Sequence, residues 1–133
     1  VSLEASEMLL NLIFFAMDHG IQSVSGGGPL TPFVMSLTEQ QPDLHRFAAE
    51  TLEEGVSQAL EFVATLPATV KAYAVAFDGY ITIDNEQFDA VIVEAGERGK
   101  EFSFTFAQRY VPTDFQTIGN PVYLGQTAQR LQE

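Results

Sequence analysis

Three runs decide the fold: KAYAVAFDGYITI at residues 71–83, QFDAVIVEAGE at 87–97 and KEFSFTFAQRYV at 100–111. From Phe102 to Phe106 apolar and small polar residues alternate strictly, which puts three phenylalanines on one face of a strand. The Val- and Ile-rich run before it ends at Glu97-Arg98-Gly99-Lys100, a hairpin signature with Gly available for positive φ. With Arg98-Gly99 as the turn, Ala95 faces Phe102, Val93 faces Phe104 and Val91 faces Phe106, a continuous apolar face. The same register sets Glu94 beside Ser103, Ile92 beside Thr105 and Phe88 beside Arg109 on the other face.

An upstream strand ending at Ile83 joins through an expected turn at Asn85-Glu86. Ile81 and Ile83 then line up with Phe88, Ala90 and Ile92, so the second face is apolar as well. A sheet apolar on both sides needs two covering layers. Asp78-Gly79 reads as a bulge within one long strand, with a type I′ turn as the alternative.

Outside this block, Ser2 to Met17 reads as a first helix, capped by Ser2 and stopped at His19-Gly20. Its second half is apolar nearly all round, as in a helix buried on more than one side. Ile21–Ser25 and Leu30–Thr38 read as short strands around Gly26-Gly27-Gly28-Pro29. That glycine run lacks the Lys and Ser or Thr of a phosphate loop and reads as a hairpin tip. Pro32 places the second of these strands, or its start, at or near a sheet edge. A second helix is expected from Asp43 to Leu66 on the three- and four-residue spacing of Leu44, Phe47, Ala48, Leu52, Val56, Ala59, Leu60 and Val63. Gly55 in its middle allows a close approach to a strand. After Val111 the segment carries Pro112, Gly119, Asn120-Pro121 and Gly125 and few apolar anchors.

The expected fold is therefore α+β: an antiparallel sheet of about five strands, ending in a three-strand meander, with helices on its faces. Its order of helix, two strands, helix and three strands resembles that of roadblock and profilin-like domains, small dimerising platforms. The resemblance lies in element order and carries no motif. A hotdog-like fold, with a long helix wrapped by a meander, is the alternative. The 133 residues fit one domain over 1–125, with 126–133 as a frayed or disordered tail.

Composition narrows function more than motifs do. Eighteen acids against six bases, a net charge of −12, oppose binding to nucleic acid or to an anionic membrane. Without cysteine there are no disulfides, thiolate nucleophiles or cysteine-bound metals. No apolar run approaches the ~20 residues of a membrane span, and Glu4 and Glu7 stand where a signal peptide needs basic residues. A soluble cytoplasmic protein is the resulting expectation.

Chemistry-bearing residues are few. His19 and His45 are expected at helix ends as structural or solvated groups. Asp78, Asp84, Asp89 and Glu94 fall in the sheet, where acids can bind metal or act as bases. Asp89 and Glu94 project to opposite faces, and no Lys follows Glu94 by two, so a nuclease pattern is not formed. Arg109, in a chain with so few bases, is expected to pair with Glu94, Glu97 or Asp89. The candidate ligand site is Arg109, Tyr110, Asp78 and Glu94 around a small polar ligand, with no catalytic residue, metal or cofactor assigned. Apolar faces in excess of their covers point to a self-associating interaction module, a homodimer or larger. The alternative is a thioesterase-type hydrolase on the hotdog-like fold, with Asp43 or Glu50 on the long helix as base.

Overall fold

The computed structural model describes residues 5–27, 29–39 and 41–131. In chain order the elements are α1 (Glu7–Ser25), β1 (Phe33–Leu37), β2 (Pro42–Arg46), α2 (Leu52–Ala64), β3 (Ala72–Ile83), β4 (Glu86–Glu97), β5 (Phe102–Val111) and β6 (Gln116–Ala128). The strands form one antiparallel sheet of six in the order β2-β1-β3-β4-β5-β6. The class is α+β as expected, with one strand more than the sequence led us to expect.

The meander of β3, β4 and β5 lies where the alternation placed it, but its turns differ. Asp84 and Asn85, with φ of 51° and 68°, form the β3–β4 turn, so Ile83 faces Glu86. Two successive positive φ values are what a two-residue hairpin requires, and Asp and Asn tolerate them. Asp78-Gly79 is neither bulge nor turn: Asp78 faces Val91 and Gly79 faces Ala90 in unbroken register. The β4–β5 loop is longer than two residues, and Ala95 faces Phe104 rather than Phe102. This slip of two preserves every side chain's face, because the pleat repeats every two residues.

The helices are corrected at both ends. Ser6 caps α1, its hydroxyl accepting from the Leu9 N–H at 3.1 Å; the expected Ser2 cap lies outside the described residues. Rather than stopping at Gly20, α1 runs to Ser25, so Ile21–Ser25 is helix and not strand. Gly20 is no terminator here. A Cβ at this position would lie 2.8 Å from Val91 Cγ1, so the missing side chain lets α1 settle onto β4.

Residues 42–46, expected in the second helix, are the edge strand β2, with Pro42 as its first residue, a position that needs no ladder N–H. The helix starts after Thr51, whose hydroxyl accepts from the Glu54 N–H at 3.1 Å. Gly55 does serve close approach: a Cβ there would meet the Phe47 carbonyl at 2.6 Å and the Pro32 ring at 3.0 Å. Pro32 precedes β1, which lies near the sheet edge, one strand in from β2. The C-terminal segment also departs from expectation, since β6 runs unbroken across the anticipated 125/126 boundary.

On the first face α1 packs Leu9, Leu12, Ile13, Ala16, Met17 and Val24 against Phe33, Met35, Val91, Val93 and Phe106. Alternate alanines of β3 (Ala72, Ala74, Ala76) form the floor, low enough for the helix to lie close. On the second face α2 packs Ala59 and Val63 onto Val34, Tyr73 and Val75, and Leu131 joins this cluster from the C-terminal side. The rest of the second face forms a separate cluster of Ile81, Ala90, Ile92 and Ala107 with Phe77, Ile83 and Phe88. No helix of the described residues is long and apolar enough to cross a membrane.

Candidate functional site

The expected site residues separate into three places. Asp78 and Tyr110 come together on the first face, where the Tyr110 hydroxyl donates to Asp78 Oδ1 at 2.7 Å. Asp89, directly opposite Tyr110 in the ladder, lies on the same face. Burial raises the Asp78 carboxyl above the usual aspartate range, against the lowering effect of the Tyr110 hydrogen bond, and the nearby Asp89 charge raises it further. The Tyr110 hydroxyl is raised by burial first and then by Asp78. The Leu30 backbone also bonds Asp78, so this acid ties the α1–β1 connection to the sheet.

A raised folded-state pKa means that the native state holds the Asp78 proton more tightly than the unfolded chain does. Ionising Asp78 therefore lowers stability as pH rises from the ordinary aspartate value, about 3.9, through the folded value, and the cost is fully present above the folded value. Asp78→Asn keeps an acceptor for Tyr110 and removes the charge. Thermal melts across the acid range should show a higher Tm for Asp78→Asn at neutral pH, with the gap closing below the ordinary aspartate value.

Glu94 is elsewhere, on the second face near the end covered by α2 and the C-terminal residues. Its Oε2 accepts from the Tyr73 hydroxyl at 2.8 Å, and Tyr73 also shares a hydrogen bond with Ser103 Oγ at 2.8 Å. Arg130 clamps the carboxylate with both prongs, Nε to Oε2 at 2.5 Å and Nη2 to Oε1 at 3.0 Å. The carboxylate holds the guanidinium firmly in its charged form, and burial followed by the Glu94 charge pushes the Tyr73 hydroxyl well up. Tyr73 and Ser103 have no exposed surface, so this network offers no open nucleophile. It fastens the segment after β6 to the sheet. The Glu94–Arg130 partnership was not anticipated, because residues 126–133 read as a tail.

Arg109 is on the second face, apart from Tyr110 and without an ion pair to any carboxylate among the described residues. It sits opposite Ala90, four residues along β5 from Thr105, the partner of Glu94; Asp89 points to the other face. Its guanidinium carbon lies 4.9 Å from the centroid of the Phe88 ring. On the β6 side a Cβ at Gly119 would come within 3.0 Å of Nη2. Its Nε is buried and has no hydrogen-bond partner among the described residues. Phe88 and Ala90 connect it to the apolar cluster of Ile81, Ile92 and Ala107 on the same face. A desolvated guanidinium donor in an apolar setting is a site for an incoming carboxylate or similar acceptor.

The histidines are structural. His19 meets Phe33 edge-on at 5.1 Å and lies 3.4 Å from Arg46 Nη2, and His45, on β2 rather than a helix, packs on Phe62 at 4.7 Å. Asp43 is an exposed residue of β2 and Glu50 lies in the loop before α2, so neither stands on the long helix that a hotdog-like site requires. Among the described residues no three His, Asp or Glu side chains gather as a metal site. No family model, curated protein or solved structure matches this chain significantly.

Proposed function

We propose that this protein is a non-enzymatic interaction module that self-associates through the half of its second sheet face not covered by α2. The observation that carries this reading is Arg109: a guanidinium with a buried, unsatisfied Nε in an apolar cluster, in a chain with eighteen acids. A buried donor without an acceptor costs about 1–3 kcal/mol, which a partner carboxylate would recover.

A second copy supplies both things this face lacks. Its own Phe77, Ile83 and Phe88 provide apolar cover, and Glu86, exposed on the same face of β4 one turn of the pleat beyond Phe88, provides the acid. In a two-fold contact each Arg109 meets the other chain's Glu86 reciprocally. Edge pairing is disfavoured as a competing mode. β6 carries Pro121 and pairs with β5 through register shifts, and β2 is short and carries Asp43 and Arg46. Four strands at about 4.8 Å spacing over about six residues give a footprint of roughly 400 Å² per chain. That is small, so the expected dimer is reversible, with dissociation in the micromolar range.

Charge exchange tests the proposal. Arg109→Glu and Glu86→Arg should each weaken self-association at least about tenfold, and the double variant should restore most of it. Single variants that associate like the parent, or a double variant no better than either single, would overturn the reading.

A further inference from the structure

A second surface lies on the opposite side of the sheet, independent of the self-association proposed above. Met8, Asn11, Leu12 and Phe15 follow one side of α1 at helical spacing and face Leu37 at the end of β1 and Pro42 at the start of β2. Between them is an open groove of about 530 Å³, and Asn11 is the one polar side chain among the described residues of its lining. Its origin is topological: α1 rests mainly on β3 and β4, and among the described residues the β1–β2 side of that face has no further layer. Phe15, 54% exposed, stands at its lip. From Met8 to Phe15 the wall is about 10 Å long, room for two turns of a docked helix.

The rim decides the occupant. Glu7 precedes Met8, Asp18 lies one turn beyond Phe15, and Glu39 sits in the hairpin between Leu37 and Pro42. Glu39 is tied to Lys71 at 3.3 Å, while α1 itself contains no Lys or Arg. With a chain charge of −12 behind it, this rim repels fatty acids, anionic lipids and a second copy of the same acidic surface. We infer that the groove between α1 and the β1–β2 hairpin binds a basic amphipathic helix of another protein. Apolar residues one turn apart on that helix fill the space beside Phe15 and Leu37, and its Lys or Arg residues face Glu7 and Asp18.

The probe is a designed amphipathic peptide with leucines at helical spacing, lysines on its other faces and one tryptophan. Since the protein has no tryptophan, the emission reports the peptide alone. Two controls accompany it, a scrambled peptide of the same composition and one with glutamate in place of lysine. The patterned lysine peptide should bind at least about tenfold more tightly than either control, and Phe15→Glu should weaken it at least about tenfold. Phe15→Glu also makes the protein more acidic, so attraction by charge alone would strengthen binding. Unchanged or tighter binding to Phe15→Glu, or equal binding of the scrambled peptide, overturns the inference. So does loss of self-association in Phe15→Glu, which would make the occupant a second copy. Phe15→Ala, neutral and at the same exposed position, should weaken the lysine peptide in the same direction.

Discussion

Gly96→Ala is expected to destabilise the protein by about 3 kcal/mol, the upper end of what overpacking a filled interior costs. Gly96 lies opposite Tyr73 in the ladder, and the Tyr73 ring crosses over it to reach Glu94 and Ser103. A Cβ there would sit 2.7 Å from Tyr73 Cε1, 2.5 Å from Ser103 Oγ and 2.8 Å from Gln129 Oε1. Gln129 can swing away, but Tyr73 and Ser103 are fully enclosed. Moving the ring would detach its hydroxyl from both partners. For a domain whose total stability is about 5–15 kcal/mol, the loss is a large share. Urea unfolding should show a lower midpoint with an unchanged slope, and a loss below about 1 kcal/mol would mean that the ring has room the packing denies it.

Arg130→Ala is expected to cost about 2 kcal/mol. The figure lies between the small value of an exposed ion pair and the 3–5 kcal/mol of a fully buried one, because the Arg130 side chain is 36% exposed and Glu94 9%. Most of the loss comes from Glu94, left among Tyr73, Ser103 and Val75 without its counterion. The cost should therefore fall below about 1 kcal/mol when Arg130→Ala is made together with Glu94→Gln, a coupling that a double-mutant cycle reads directly. An additive cycle would place the contribution of Arg130 in its packing instead.

Both predictions fall on a part of the molecule that the sequence disclosed poorly. The meander from Ala72 to Val111 was legible because strict alternation of Phe102, Phe104 and Phe106 has no helical reading. Its exact pairing was not, since a slip of two residues keeps each face intact. Asp84-Asn85 carried a turn signal as strong as the neighbouring Asn85-Glu86, and only the positive φ at both residues decides between them.

The early start given to the second helix arose from Leu44 and Phe47, whose three-residue spacing fits a helix by chance. Thr51 followed three residues later by Glu54 is a helix-start signature and could have located the true boundary. In α1, Gly20 looks like a stop, yet Val24 continues the buried stripe of Ile13 and Met17 for another turn. β6 was hidden by its own irregularity. Gly119, Pro121 and Gly125 break the alternation, and most of its residues are exposed, so no apolar face marks it as strand.

The candidate site divides in the same way. Tyr110 and Asp78 could be brought together from the sequence because they share one face of β3 and β5, the two strands that flank β4. Glu94 could not be matched to Arg130, which belongs to the segment after β6. Arg109 was expected to pair with an acid of β4, but Glu94, opposite Thr105, is held by Arg130, Asp89 lies on the other face, and the Arg109 guanidinium rests on Phe88.

Whether a second copy covers this part of the sheet is read from sedimentation of the unmodified protein over a concentration series up to about 100 µM, well above a micromolar dissociation constant. The mass should rise smoothly from the 14.6 kDa of one chain to twice that value and stop there. A mass that stays at 14.6 kDa at every concentration would contradict self-association.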